Sequence, residues 1–180
     1  STPGSCPLKG KKVFPIGQAI DEQNLKGDFS KIKSPPLDWY HVGRIDPSKK
    51  IDVIISVFVR LRAMGWNLKL DIYGAPSTEK SNNYLALLLN NFQTEITSSW
   101  LSFKGPIGRQ QLFPIANQHD GFVHAFQGSL DKAVLEATLS KRIVASINPE
   151  FIRELPSRQH QNSGQFAHQS TKFKCNYPYL

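Results

Sequence analysis

The chain has 180 residues, which fits one domain or slightly more. Apolar residues make up 39% and charged residues 20%, a globular composition that excludes a disordered or collagen-like chain. No apolar run approaches the length of about 18 residues that a transmembrane helix requires. The net charge of +8 indicates either an anionic partner or a solvated basic periphery.

Strand-like and helix-like segments alternate between Trp39 and Ser146. Strands are predicted at 39–42, 68–73, 100–103, 121–126 and 142–146. Helices are predicted at 51–64, 84–92, 110–117, where Pro114 interrupts the pattern, and 131–139. This alternation is typical of βαβ units, so we predict an α/β fold with a doubly wound, mostly parallel Rossmann-like sheet and helices on both faces.

The flanks of this region carry weaker patterns. Residues 1–38 are predicted to be an N-terminal strand, at Lys11–Ile16, and a connecting segment. Residues 39–150 form the predicted Rossmann-like domain, and residues 151–180 are predicted to be an irregular tail, since they are polar and lack apolar periodicity. The two cysteines, Cys6 and Cys175, belong to no CxxC or Cys/His cluster, so we interpret them as free thiols of a cytoplasmic protein.

The loop after the first predicted strand, Gly43–Lys50, is rich in basic residues. Ligands of doubly wound sheets bind beyond the carboxyl ends of the strands. Arg44 can grip phosphate oxygens with two N–H groups, and Lys49 adds a compact charge close to a helix start. The loop matches neither a Walker loop nor GxGxxG. A diphosphate site and a solvated basic turn both remain open at this point.

The loop after the fourth strand is a second candidate. Gly128 and Ser129 permit close approach of a ligand to the backbone. Glu136 falls on the first turns of the following helix, where a carboxylate can accept hydrogen bonds from a ribose diol. An ordinary surface glutamate is the alternative interpretation. His119 and His124 are five residues apart and form no cluster with metal-ligand spacing, so no metal site is predicted there.

The order of five segments resembles the group 1 retaining glycosyltransferases, which have two Rossmann-like domains (the GT-B type). The segments that carry the resemblance are Ile16–Asp21, His41–Lys49, Asp71–Gly74, Leu101–Ile107 and Gly128–Ala137. The resemblance covers about Lys12 to Ile147. It implies that the chain is the C-terminal, nucleotide-sugar-binding domain of such an enzyme.

The resemblance also implies roles for individual residues. Arg44 and Lys49 would clamp the donor diphosphate, together with the loop that contains Ser129, Leu130, Asp131 and Lys132. Glu136 would bind the ribose and Ile107 the base. No catalytic residue is assigned. No metal or other cofactor is expected, because the chain lacks a DxD motif and cationic side chains would replace a metal at the diphosphate.

The sequence departs from the family pattern in two respects. Gly128 stands where the family has the first of two signature glutamates. The acceptor-binding domain of the family does not fit in the 38 residues that precede Trp39. We therefore expect these 180 residues to bind an NDP-sugar but to transfer the sugar poorly, or not at all, without an acceptor domain.

Two other function classes remain. The first is a Rossmann-like nucleotide-binding or interaction module without catalysis. The second is a basic nucleic-acid-binding domain, which would depend on charge alone because RNP and helix-turn-helix signatures are absent. We expect no nucleic-acid partner under the leading hypothesis, and ligand binding distinguishes the three.

Overall fold

The computed structural model describes residues 29–154. Within this range five strands form one sheet in the order β3–β2–β1–β4–β5, and every neighbouring pair is parallel. The strands are β1 (Asp38–Val42), β2 (Lys69–Tyr73), β3 (Leu101–Gly105), β4 (Gly121–His124) and β5 (Ile143–Ser146). The predicted α/β class and doubly wound sheet are confirmed.

Helices cover both faces of the sheet. Those on one face are α1 (Ile51–Ala63), α2 (Glu79–Asn91) and α3 (Gln93–Thr97), and those on the other are α4 (Arg109–Gln118), α5 (Lys132–Leu139) and α6 (Pro149–Glu154). Neighbouring strand residues point to opposite faces, so Trp39 packs with the first group and Tyr40 with the second. The sheet is therefore buried between two apolar cores, as parallel sheets require.

The helix α1 illustrates how the sequence dictates this packing. Ile51, Ile54, Ile55 and Phe58 recur at helical spacing and are all buried. Phe58 contacts Trp39 of β1 edge to face, with 6.2 Å between ring centroids. Burying one such aliphatic or aromatic side chain contributes about 1.5–3 kcal/mol to folding. This stripe fixes α1 directly after the basic β1–α1 loop.

Helix boundaries differ from the prediction in three places. Pro114 lies inside a continuous α4 and does not interrupt it. The helix α2 begins five residues earlier than expected, because the Thr78 hydroxyl caps it by accepting from the Ser81 N–H at 3.1 Å. The short helix α3 has no apolar periodicity of its own and was not predicted.

Two further boundaries bear on the site. The strand β4 ends at His124, so Ala125 and Phe126 belong to the following loop and not to the strand as predicted. The helix α6 extends to Glu154 and replaces the irregular chain expected from residue 151. The predicted strand at 11–16, both cysteines and residues 155–180 lie outside the described residues. None of the helices within 29–154 is long and apolar enough to cross a membrane.

Candidate functional site

The topology brings two loops together where the strand order reverses. The strands β1 and β4 are neighbours in the sheet, although about 80 residues separate them in the chain. Their following loops, β1–α1 and β4–α5, leave the same carboxyl edge of the sheet. Crevices at this type of switch point are where doubly wound proteins bind ligands.

Asp46 organises the β1–α1 loop. Its carboxylate accepts from the backbone N–H of Ser48 at 3.0 Å and from the Ser81 hydroxyl at 3.0 Å. The hydrogen bonds from Ser48 are the main reason why the pKa of Asp46 lies below its ordinary value. The neighbouring β2–α2 loop also packs closely, because a Cβ at Gly74 would lie 1.8 Å from the Gly43 carbonyl oxygen. A glycine at residue 74 is therefore required for this packing.

Lys49 joins the two loops. Its Nζ lies 2.5 Å from Asp131 Oδ2 in the β4–α5 loop and 3.9 Å from the centre of the Phe126 ring. Only 10% of the Lys49 side chain is exposed. Lys50 adds a second link, to the side-chain oxygen of Gln127. The charge of Lys49 is thus already compensated within the domain.

Asp131 connects this ion pair to the sheet and to α5. Its Oδ2 lies 3.3 Å from His124 Nε2, and its Oδ1 accepts from the Ala133 N–H at 3.3 Å as the cap of α5. The hydrogen bond with His124 is the largest of several causes, including Lys49, that hold the pKa of Asp131 far below its ordinary value. Asp131 is therefore a fixed anion at the base of the crevice.

His41 lies beneath the same loops. Its ring is 1% exposed, and Nδ1 donates to the Val123 carbonyl at 2.9 Å. Nε2 has no hydrogen-bond partner within residues 29–154. Burial lowers the pKa of His41 to about 4, so the ring is neutral at pH 7.

Arg44 is the basic side chain of the β1–α1 loop that faces solvent. The residue is exposed and forms no hydrogen bond or ion pair with the rest of the described chain. Lys49 is paired with Asp131 and Lys50 contacts the neutral Gln127, so Arg44 is the exposed part of the positive charge that this loop keeps. A guanidinium in that position can bind an anionic ligand without first breaking an internal contact.

Glu136 projects from α5 close to the start of α4. Only 12% of its side chain is exposed, and Arg109 NH2 lies 3.9 Å from Oε1, which is longer than a hydrogen bond. Burial raises the pKa of Glu136 above its ordinary value. No hydrogen bond within the described residues reaches its carboxylate, so both oxygens can accept from a ligand.

The Phe126 ring determines which side chains fit at residue 128. A Cβ at Gly128 would lie 2.2 Å from Cζ of Phe126. The ring itself is held between Lys49 and the edge of His124, whose ring centroid lies 6.3 Å away. Phe126 thus occupies the space that a glutamate at residue 128 would need.

The structure places the remaining predicted residues as follows. Ser129 is exposed and Leu130 is half-buried in the β4–α5 loop, and Lys132 begins α5. Ile107 lies in the β3–α4 loop at the same edge. Like Leu130, it is partly buried and packs against the apolar core on this face of the sheet. The predicted residues therefore all lie at one edge, in three loops and the start of α5.

Sequence reasoning overlooked Arg109 and Asn148 as members of this region, and it considered His124 only as a candidate metal ligand. His124 ends a strand, and its relation to Asp131 follows only from the loop between them. Asn148 lies after β5 and contacts the β4–α5 loop. A sequence carries no local signal for these contacts, apart from the general expectation that polar residues at the carboxyl ends of strands face the ligand.

A cavity of about 320 Å³ lies elsewhere, near the amino ends of β1, β2 and β3. Its lining includes Asp71, Lys104 and His119, and His119 Nε2 lies 3.3 Å from Asp71 Oδ2. None of the predicted site residues lines this cavity. His119 and His124 therefore belong to different regions of the domain.

Solved structures with the same fold include the pneumococcal O-GlcNAc transferase GtfA in complex with UDP and GlcNAc. The match has 21% sequence identity and a TM-score of 0.53, and covers 67% of this chain and 22% of that one. A structure of S. aureus TarM with UDP matches at 21% identity and a TM-score of 0.57, covering 77% and 27% of the two chains. Anabaena HepE in complex with UDP and glucose matches at 14% identity and a TM-score of 0.61, covering 77% and 39%.

The chain shares its fold with part of these glycosyltransferases. That agreement confirms the Rossmann-like, GT-B-type fold that the resemblance implied. The chain spans between 22% and 39% of the length of these three solved chains. No protein-family model matches the sequence, and no curated protein does.

Proposed function

We propose that the domain binds a nucleotide-sugar and forms the donor-binding half of a glycosyltransferase. The observation that carries the proposal is the arrangement of charge at one crevice. Within residues 29–154, Arg44 on one loop has no ion pair or hydrogen bond, and the Glu136 carboxylate, on the helix that follows the other loop, accepts no hydrogen bond. A cation for a diphosphate and an acceptor for a ribose diol are the groups that a nucleoside diphosphate needs.

The shared fold supports the same function. GtfA, TarM and HepE were each solved with UDP. Under the proposal Arg44 and the amides of residues 129–132 bind the diphosphate, Glu136 binds the ribose, and Ile107 contacts the base. Lys49 acts indirectly in this proposal, because its ion pair with Asp131 holds the start of α5 in place. The site needs no metal in this proposal, and the cytoplasmic location stays a prediction.

Sugar transfer also requires a second surface that binds the acceptor. The described fold is a single Rossmann-like unit, and donor and acceptor must be held together for efficient reaction. We therefore propose that residues 1–180 alone bind the donor and transfer its sugar poorly, and that an acceptor-binding domain completes the cleft. Supplying that domain should raise the rate of transfer without changing donor affinity greatly.

A panel of UDP-, GDP- and ADP-sugars in thermal melts tests the binding step. A ligand present at about 100 times its Kd stabilises the fold by about 2.7 kcal/mol, which raises the melting temperature measurably. The shift should be clearly smaller in Arg44→Ala and unchanged in Arg60→Ala, because Arg60 is exposed at the far end of α1. If no nucleotide-sugar raises the melting temperature and the chain binds DNA in a salt-sensitive manner, the nucleic-acid-binding alternative is favoured instead.

A further inference from the structure

Asn148 binds the β4–α5 loop from the inside of the domain. The residue is 0% exposed and lies two residues after the end of β5. Its Nδ2 lies 3.0, 3.2 and 3.4 Å from the carbonyl oxygens of Phe126, Gly128 and Ser129. Its Oδ1 accepts from the backbone N–H of Phe151 in α6 at 2.9 Å. The donor and acceptor partners together fix the orientation of the amide group.

These contacts determine where the loop amides point. In a trans peptide the C=O and the N–H point in opposite directions. The Gly128 carbonyl turns inward to Asn148, so the N–H group of Ser129, which belongs to the same peptide, turns outward. Ser129 is exposed. The outward side is the one on which the proposed diphosphate lies.

A chain of hydrogen bonds holds the far end of the same loop. The Ser146 hydroxyl accepts from the Asn148 backbone N–H at 3.1 Å and lies 3.1 Å from His124 Nδ1. His124 in turn contacts Asp131, which caps α5 and pairs with Lys49. The loop is thus held at its beginning by Asn148 and at its end by Asp131, both attached to the ends of strands.

We propose that Asn148 is a positioning residue that aims the Ser129 amide at the diphosphate of the donor. Asn148 itself does not touch the ligand. The inference rests on the proposed function, because the amide needs a diphosphate to bind. It adds a buried side chain, outside the basic β1–α1 loop, on which phosphate recognition depends. Nucleoside recognition, which uses Glu136 and Ile107, should depend on Asn148 much less.

Calorimetric titration of Asn148→Ala with UDP, GDP and ADP, and with uridine, guanosine and adenosine, tests the separation. For the nucleotide that the wild type binds, we expect affinity for the diphosphate to fall about ten-fold, the effect of 1.4 kcal/mol. Affinity for the matching nucleoside should change by less than about two-fold. Leu88→Ala is the control, since it weakens the core on the other face and should leave both affinities unchanged.

If Asn148→Ala does not fold, amide spectra of the wild type provide a second test. In ¹H–¹⁵N spectra, the diphosphate should shift the Ser129 resonance and the nucleoside alone should not. Equal losses for diphosphate and nucleoside in the variant, or an unshifted Ser129 amide, would overturn the role of Asn148 and leave the proposed function standing. A wild type that binds none of the three nucleoside diphosphates would overturn both.

Discussion

Lys49 Nζ lies 2.5 Å from Asp131 Oδ2, and this ion pair joins the two loops at the switch point of the sheet. Because of this ion pair, Lys49 and Arg44 of the β1–α1 loop have different roles. Lys49 neutralises Asp131 and keeps α5 in place, whereas Arg44 remains exposed for a ligand. A diphosphate bound at this edge would therefore depend on Arg44 directly and on Lys49 through the shape of the crevice.

Replacing Arg44 with alanine should weaken binding of a nucleoside diphosphate. Loss of a hydrogen bond to a charged group costs about 1.5–3 kcal/mol, which corresponds to about a 10- to 150-fold increase in Kd. Calorimetric titration measures this change directly. The matched variant Arg60→Ala removes an exposed arginine from the same chain and should keep the wild-type Kd. Similar affinities in all three proteins would remove Arg44 from the site.

The stability of the domain should depend on Asp131 in acid. The folded protein holds the pKa of Asp131 below its ordinary value, whereas the unfolded chain has a pKa of about 3.9. Ionised Asp131 therefore stabilises the fold above about pH 4, and this contribution is lost as the pH falls below that value. Asp131→Asn removes the contribution at every pH.

Urea unfolding at a series of pH values checks this expectation. The free energy of unfolding should fall less steeply between about pH 4 and pH 2 in Asp131→Asn than in the wild type. Glu79→Gln, at an exposed residue of the first turn of α2, should keep the wild-type dependence on pH. Identical curves for wild type and Asp131→Asn would mean that the ion pair contributes nothing to folding.

Glu136 should determine whether the site distinguishes ribose from deoxyribose. Glu136→Gln keeps the size of the side chain and removes its charge, so a hydrogen bond from a ribose hydroxyl loses about 1.5–3 kcal/mol at most. The wild type should bind UDP more tightly than 2′-deoxy-UDP, and the variant should lose most of that preference. The ratio of the two Kd values is the measurement. An unchanged ratio would return Glu136 to the role of an ordinary helix residue.

Protonation of Glu136 should weaken the same contact. Because burial raises the pKa of Glu136, its carboxylate loses its charge at a higher pH than an ordinary glutamate does. Affinity for UDP should therefore fall as the pH is lowered through that raised pKa. Glu136→Gln should lack this step in a titration of Kd against pH. A step of equal size in the variant would assign it to another group.

Restoring the family glutamate at residue 128 should disturb the loop. A side chain at Gly128 must displace the Phe126 ring, which packs against Lys49 and His124. Overpacking of this kind costs about 1–3 kcal/mol, so Gly128→Glu and Gly128→Ala should both lower the melting temperature. Phe126→Leu combined with Gly128→Ala should recover part of the loss. A Gly128→Ala variant as stable as the wild type would show that the ring moves freely.

The sequence predicts the fold well, because apolar periodicity and glycines at the strand ends are local signals. The stripe of Ile51, Ile54, Ile55 and Phe58 determines α1 without reference to the rest of the chain. The unpredicted α3 and the early start of α2 depend on short polar contacts such as the Thr78 cap. Pro114 lies inside α4 although proline removes one helical hydrogen bond, and the residues that follow it, Ile115 and Ala116, are buried against the sheet.

The site is predictable only in part. Arg44, Lys49 and Glu136 follow from charged residue types at the carboxyl ends of strands. The pairing of Lys49 with Asp131, 82 residues apart, and the contacts of Asn148 with the β4–α5 loop follow only from strand order. A lone asparagine after β5 has no pattern that would single it out. Lys49 is paired, and Arg44 has no ion pair within the part of the chain that the structure describes. This difference follows from the fold and not from the local sequence.

A crystal structure of the chain with bound UDP tests the central proposal most directly. We expect the diphosphate within hydrogen-bond distance of Arg44 and of the Ser129 N–H, with a ribose hydroxyl on the Glu136 carboxylate. Both contacts would place the ligand between the β1–α1 and β4–α5 loops. UDP bound instead in the cavity beside Asp71 and His119, or no binding of UDP, GDP or ADP at saturating concentration, would contradict the proposed donor site.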